Sequence, residues 1–127
     1  MQTTIRGLAL AILSSGFAMA HGISQAAECD ASAGQQVFQT KCSACHALDE
    51  SRVGPKLAAV VGRPIGSVPG FTYTAGLAVA KSTWNVEQLD QFLTAPAKKF
   101  PETAMAFGGL RKAEERQAVL CFLQTKS

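Results

Sequence analysis

Hydrophobic residues recur at helical spacing in three stretches of this chain and lose that periodicity between them. Near the start, Gly34 and Phe38 lie four apart on one face with Val37 beside them. That spacing predicts a helix over residues 30–42, which Asp30 can cap, with Ser32 and Gln35 as an alternative capping box. A glycine on the apolar face costs roughly 1 kcal/mol of helix propensity against alanine and suggests close approach by another helix. Val86, Leu89, Phe92 and Leu93 make a second stripe. Thr83 or Asn85 can cap it, Gln88 follows Asn85 by three, and Pro96 ends it. Val119, Leu120, Phe122 and Leu123 mark the buried side of a last helix over 113–125, whose first turn holds Glu114 and Glu115 where the helix dipole favours acids. A short helix over 75–81, and a further turn or two before Pro101, complete the set. Between 47 and 73 the pattern changes: Gly54-Pro55, Gly62, Pro64, Gly66 and Pro69-Gly70 punctuate the chain too often for a long regular element. One helical turn fits at 56–61. The chain reads as all-α with long loops.

At 127 residues it is one domain at most, and the first stretch lies outside that domain. A short polar start with Arg6, an uncharged and mostly apolar run over 7–19, and Ala18-Met19-Ala20 together read as an export leader over 1–20. Cleavage as late as residue 26 is the second choice, and the run is short for a bilayer span. The domain proper is expected over 28–127. Export implies an oxidising compartment, the periplasm, where disulfides persist. Loss of Arg6 lowers the formal charge from +3 to +2. Strong bulk attraction to nucleic acid or membrane is therefore not expected, and charge-guided docking has to come from a local patch.

Cys42-Ser43-Ala44-Cys45-His46 is the stretch with the most chemistry. C-x-x-C-H is the attachment signature of c-type haem: each thiol adds to one vinyl group, and the adjacent imidazole is held under the iron. Other readings are a thioredoxin-like dithiol, half of a zinc site completed by Cys29 and Cys121, and chance. The dithiol lacks a βαβ context, and the zinc site lacks a second close pair. A haem would also supply apolar surface that a mature chain of about 100 residues cannot provide by itself. For the second axial position, His21 lies at the probable cleavage point, while Met1 and Met19 belong to the leader. Met105 remains; taken alone, a methionine beside Phe107 is more often core filler.

The surrounding residues resemble a class I cytochrome c over nearly the whole mature chain. The matching pieces, in order, are Gly34-x-x-x-Phe38, Cys42-x-x-Cys45-His46, Gly54-Pro55-x-Leu57, Gly62-Arg63, Phe71-Thr72-Tyr73-Thr74 and Trp84. Pro101-x-Thr103-x-Met105-x-Phe107 and Glu115-Arg116 through Phe122-Leu123 follow. The resemblance implies the all-α class I fold, with the terminal helices crossing and loops wrapped around one covalent haem c. It implies thioethers at Cys42 and Cys45 and axial ligation by His46 and Met105. It also implies that the Pro55 carbonyl orients His46, that Tyr73 and Trp84 bond a propionate, and that Arg63 stabilises that charge. Gly34 and Phe38 would meet Val119 and Phe122 at the crossing. Three departures stand out: Phe92 where relatives usually carry a tyrosine, Ala104 in place of a lysine, and a shorter loop after His46.

The activity implied is that of a periplasmic, monomeric electron carrier. It would hold no membrane anchor after leader cleavage and meet donor and acceptor proteins at its haem edge. Lys41, Lys98, Lys99, Arg111 and Lys112 fall at or near the basic docking rim of relatives. No enzymatic activity is expected. A haem enzyme or gas sensor is the alternative, and needs an open sixth position; a subunit of a larger oxidoreductase is a third reading. The crossing of terminal helices in class I cytochromes would also bring Cys29 and Cys121 to one side of the molecule, where a disulfide is expected. Against it, Cys121 could be a small buried residue and Cys29 free in a tail.

Overall fold

The computed structural model describes residues 28–126. The expected leader, both cleavage points and His21 lie outside these residues. The first helix, α1 (Ala31–Val37), begins where the Asp30 carboxylate accepts the Ala33 N–H at 2.9 Å. It does not continue as an α-helix to residue 42. Residues Phe38–Cys42 form a wider π-helical turn, with the Ser43 N–H reaching back five residues to the Phe38 carbonyl at 2.9 Å. The hydroxyls of Thr40 and Ser43 donate to the carbonyls of Gln36 and Gln39 at 2.8 and 2.6 Å, competing for acceptors that an α-helical ladder uses.

The last helix, α5 (Ala113–Gln124), packs across α1. Gly34 explains how closely: a Cβ there would collide with the Ala118 carbonyl oxygen and lie 2.7 Å from Phe122 Cβ. Phe38 and Phe122 meet with ring centroids 5.5 Å apart, and Val119 is 1% exposed. Burial of each such side chain contributes about 1.5–3 kcal/mol. This is the crossing expected from the resemblance: Gly34 and Phe38 meet Phe122, Ala118 joins them at the closest approach, and Val119 is buried in the same core.

Between these helices lie α2 (Ala75–Ala78), α3 (Val86–Thr94) and α4 (Pro96–Lys99). Asn85 caps α3 by accepting the Gln88 N–H at 2.7 Å, and Leu89 and Phe92 face inward. Ala95, at φ −159°, leaves the helix before Pro96 opens α4. Trp84, Phe92 and Phe100 form a triangle with centroid separations of 5.1, 6.1 and 5.8 Å. Arg116 ties α5 to α3 through Asp90 at 2.8 Å and donates to the Leu110 carbonyl at 2.8 Å.

Two expectations shrink. Residues 56–61 form turns rather than a helical turn. The helix expected over 75–81 stops at Ala78, because Val79 is 71% exposed and the backbone beyond is used elsewhere. Ile65 N–H takes the Ser82 carbonyl at 3.0 Å, Trp84 N–H takes that of Arg63 at 2.9 Å, and Gly62 N–H takes that of Trp84 at 2.7 Å. One isolated antiparallel bridge, Pro64 to Thr83, results; the described residues contain no longer strand.

Candidate haem site

His46 follows the π-helical turn, and its N–H bonds the Cys42 carbonyl at 2.9 Å. Its ring nitrogen Nδ1 lies 2.7 Å from the Pro55 carbonyl oxygen, which can only accept, so Nδ1 carries the proton. The other nitrogen, Nε2, is then the one with a lone pair for a metal. Gly54 N–H donates to the Cys45 carbonyl at 2.9 Å and fastens the Gly54-Pro55 segment beside the cysteines. Cys45 is exposed and Cys42 half-buried against the core. Burial pushes the Cys42 thiol up to about 11.

A second group gathers around residue 63. Arg63 donates to the carbonyls of Ala58 at 3.0 Å and Lys56 at 2.9 Å, and its backbone carbonyl accepts from Trp84. Burial pulls its guanidinium below the usual value, and the neighbouring Tyr73 pushes the other way. The Tyr73 oxygen accepts the Val68 N–H at 3.3 Å and keeps its own proton to donate; Trp84 is 8% exposed. The structure thus gathers Arg63, Tyr73 and Trp84 into one neighbourhood. Met105 has no hydrogen bond with either group among those described. It packs half-buried against the core cluster, with its N–H on the Thr103 hydroxyl at 3.2 Å.

One residue of this neighbourhood escaped the sequence reading. Thr74 occupies the cap position of α2 yet makes no cap bond, and its buried hydroxyl has no hydrogen-bond partner. The sequence holds Thr74 only as the last residue of the Phe71-Thr72-Tyr73-Thr74 match and gives its hydroxyl no role. A buried hydroxyl without a partner costs about 1–3 kcal/mol, so its place beside Tyr73 fits an acceptor-rich group such as a carboxylate. These residues fit a haem: paired thiols beside an oriented imidazole, an apolar wall that includes Leu48, Leu57, Leu77 and Phe107, and spare donors for propionates. The zinc reading finds no support. Cys29 lies against Cys121, their Cα atoms 5.5 Å apart, and the described residues hold no group of three or more His, Cys, Asp or Glu placed to bind a metal ion. No described helix is long and apolar enough to cross a membrane.

Comparison with known proteins agrees with the geometry. The cytochrome c family profile matches residues 31–127. The chain is 42% identical over 100 residues to a cytochrome c of Stellaria longipes, covering 76% of this chain and 93% of that one. It is 39% identical to the cytochrome c-type cyt cy of Rhodobacter capsulatus, covering 76% of this chain and 49% of that protein. Among solved structures it is similar to cytochrome cH from Methylobacterium extorquens, with a TM-score of 0.73, 36% identity, and coverage of 76% of this chain and 99% of that one. The chain therefore belongs to the cytochrome c family, as a class I cytochrome c that carries one covalently bound haem c and transfers electrons on it between protein partners.

Proposed function

We propose that this protein is a periplasmic, monomeric electron carrier whose haem is ligated by His46 and Met105, and that it is not an enzyme. The haem supplies a one-electron Fe(III)/Fe(II) couple. Cys42 and Cys45 hold it by thioethers, so it is not lost outside the cytoplasm. Pro55 fixes the tautomer and orientation of His46 and raises its basicity as a ligand. Met105 offers a soft thioether that favours the ferrous state. His46 and Met105 would hold the iron in both oxidation states and leave little to rearrange on electron transfer. Tyr73, Trp84 and Thr74 donate to the propionates, and Arg63 balances their charge. Redox partner proteins dock where exposed Cys45 holds the haem edge, within a rim of Lys41, Lys98, Lys99, Arg111 and Lys112. Lys112 is paired with Glu115, so Lys41, Lys98, Lys99 and Arg111 offer the most available charge. Neither nucleic acid nor a membrane anchor has a place in this reading. The observation that carries it is the 2.7 Å contact between Nδ1 of His46 and the Pro55 oxygen, which leaves Nε2 as a ligand.

The ferric protein, purified after export, should show the weak sulfur-to-iron charge-transfer band of a His/Met haem. Met105→Ala should abolish that band, lower the potential and let carbon monoxide bind the reduced protein readily. Persistence of the band overturns the assignment, and ready carbon monoxide binding by the unaltered protein favours a haem enzyme or sensor. Cys42→Ala with Cys45→Ala should leave no haem stain on a denaturing gel. The same reading includes a disulfide between Cys29 and Cys121, supported by their Cα separation of 5.5 Å, within the range such a bond spans. Thiol labelling of the unreduced, unfolded holoprotein should find neither cysteine reactive.

A further inference from the structure

We propose that Gly54 is a positioning residue for the proximal histidine: its bare α-carbon is the floor on which the His46 imidazole lies, and it fixes the plane of that ring. The inference rests on the axial role proposed for His46. Glycines in this loop serve two separable purposes. Gly62 and Gly70 have φ of +92° and +75°, with nothing within 4 Å of an added Cβ. Their reason is backbone conformation. Gly54 is the reverse case. It is not among the positive-φ glycines, so its backbone is one that any L-residue adopts. An added Cβ there would collide with Cε1 of His46 and lie 2.6 Å from both Nδ1 and Nε2. Near-equal approach to both nitrogens, with the carbon between them closer still, is the signature of an atom over the ring face. An atom approaching Cε1 in the ring plane would stand well farther from both nitrogens.

Three contacts then lock the imidazole. The Pro55 oxygen, 2.7 Å from Nδ1, sets the rotation of the ring, and Gly54 closes one of its faces. The Gly54 N–H on the Cys45 carbonyl at 2.9 Å keeps that floor attached to the segment that carries the histidine. A methyl group at residue 54 has no room unless the ring tilts or the floor moves away. Either change alters the plane in which the imidazole π orbitals present themselves to a bound metal. Pro55 alone cannot prevent this, because a single hydrogen bond tolerates a tilted ring.

The test compares ferric holoproteins of the unaltered chain, Gly54→Ala and Gly70→Ala by paramagnetic proton NMR. The haem methyl shifts report the orientation of the axial imidazole plane. Gly54→Ala should reorder or markedly move these resonances, whereas Gly70→Ala, strained but with nothing within 4 Å of its added Cβ, should keep the native pattern even where it melts earlier. A Gly54→Ala spectrum superimposable on the native one overturns the proposal. Where Gly54→Ala does not accumulate with haem, the yield decides. A tenfold loss of haem stain against less than twofold for Gly70→Ala supports the positioning role, and equal loss in both overturns it. A native spectrum without histidine ligation removes the axial reading itself, before any variant is compared.

Discussion

At the α1–α5 crossing, Gly34, Phe38, Val119 and Phe122 bury apolar surface directly against one another. Over residues 47–73 the order is carried by another means. Leu57 and Ala58 bond the carbonyls of Ala47 and Leu48, both at 2.9 Å, Arg63 spans two carbonyls, and the apolar side chains Leu48, Leu57 and Val61 are only half-buried. The crossing is a complete protein interface. The loop is a hydrogen-bonded frame that sinks Val60, Ile65 and Val68 into the core and turns Leu48, Leu57 and Val61 into a half-buried wall. The consequence is a division of labour: packing at the crossing sets the fold, while the loop's Pro55 carbonyl sets the orientation of His46.

The largest break in this comparison comes from Gly34→Val. Its added carbons meet backbone rather than flexible side chain, so the cost should reach about 3 kcal/mol or more, at the upper end for overpacking. Guanidinium unfolding followed by circular dichroism measures it. Cys29→Ser asks whether the proposed disulfide reinforces the same crossing. A bond that closes this long loop should be worth about 2–4 kcal/mol, whereas loss of an exposed, unbonded thiol should cost nothing. Sensitivity of the parent protein to reductant provides the independent check. Arg63→Met turns to the loop. It strips the donors from the Ala58 and Lys56 carbonyls at a cost of about 1–3 kcal/mol, and it should speed amide exchange at Leu57 and Ala58 more than at Val119. The smallest effect is a gain. Ala59 is the one described non-glycine residue with positive φ, at 54°. Ala59→Gly relieves the left-handed strain on Cβ and should stabilise by about 0.5–1 kcal/mol net, read as a higher melting temperature.

The same division explains what could be read from the sequence. Helix starts and packing faces were legible because they are local or periodic: Asp30 and Asn85 cap where expected, and the stripe on α3 turns Leu89 and Phe92 inward. The C-x-x-C-H run announced its chemistry by spacing alone. The π-helical turn was not legible, since it arises from the Thr40 and Ser43 hydroxyls competing for carbonyls, and such residues sit as readily in an ordinary helix. The shortened α2 follows from backbone pairing between residues 62–65 and 82–84, a non-local event without periodicity. Thr74 stood in the sequence only as part of a motif, since burial of its hydroxyl without a partner is a product of the fold. Gly54 hid behind proline: a Gly-Pro pair signals a turn, and only coordinates reveal a ring lying on it.

Leu110 brings a temporal consequence. Its N–H is held by the Leu93 carbonyl at 2.7 Å and its own carbonyl by Arg116 at 2.8 Å, so the residue is pinned from both sides. Upstream, residues 101–109 hold themselves by short-range bonds: Thr103 N–H to the Phe100 carbonyl, Met105 N–H to the Thr103 hydroxyl, and Phe107 N–H to the Met105 carbonyl. Such a segment opens at lower free energy than a core helix. Leu110 is then the fixed end of a hinged strap, and excursions that carry Met105 away stop there without reaching α5. Release of the ligand proposed at Met105 would then be a fast, reversible event on a molecule that stays folded, and amide exchange should show a sharp step in protection between Gly109 and Leu110.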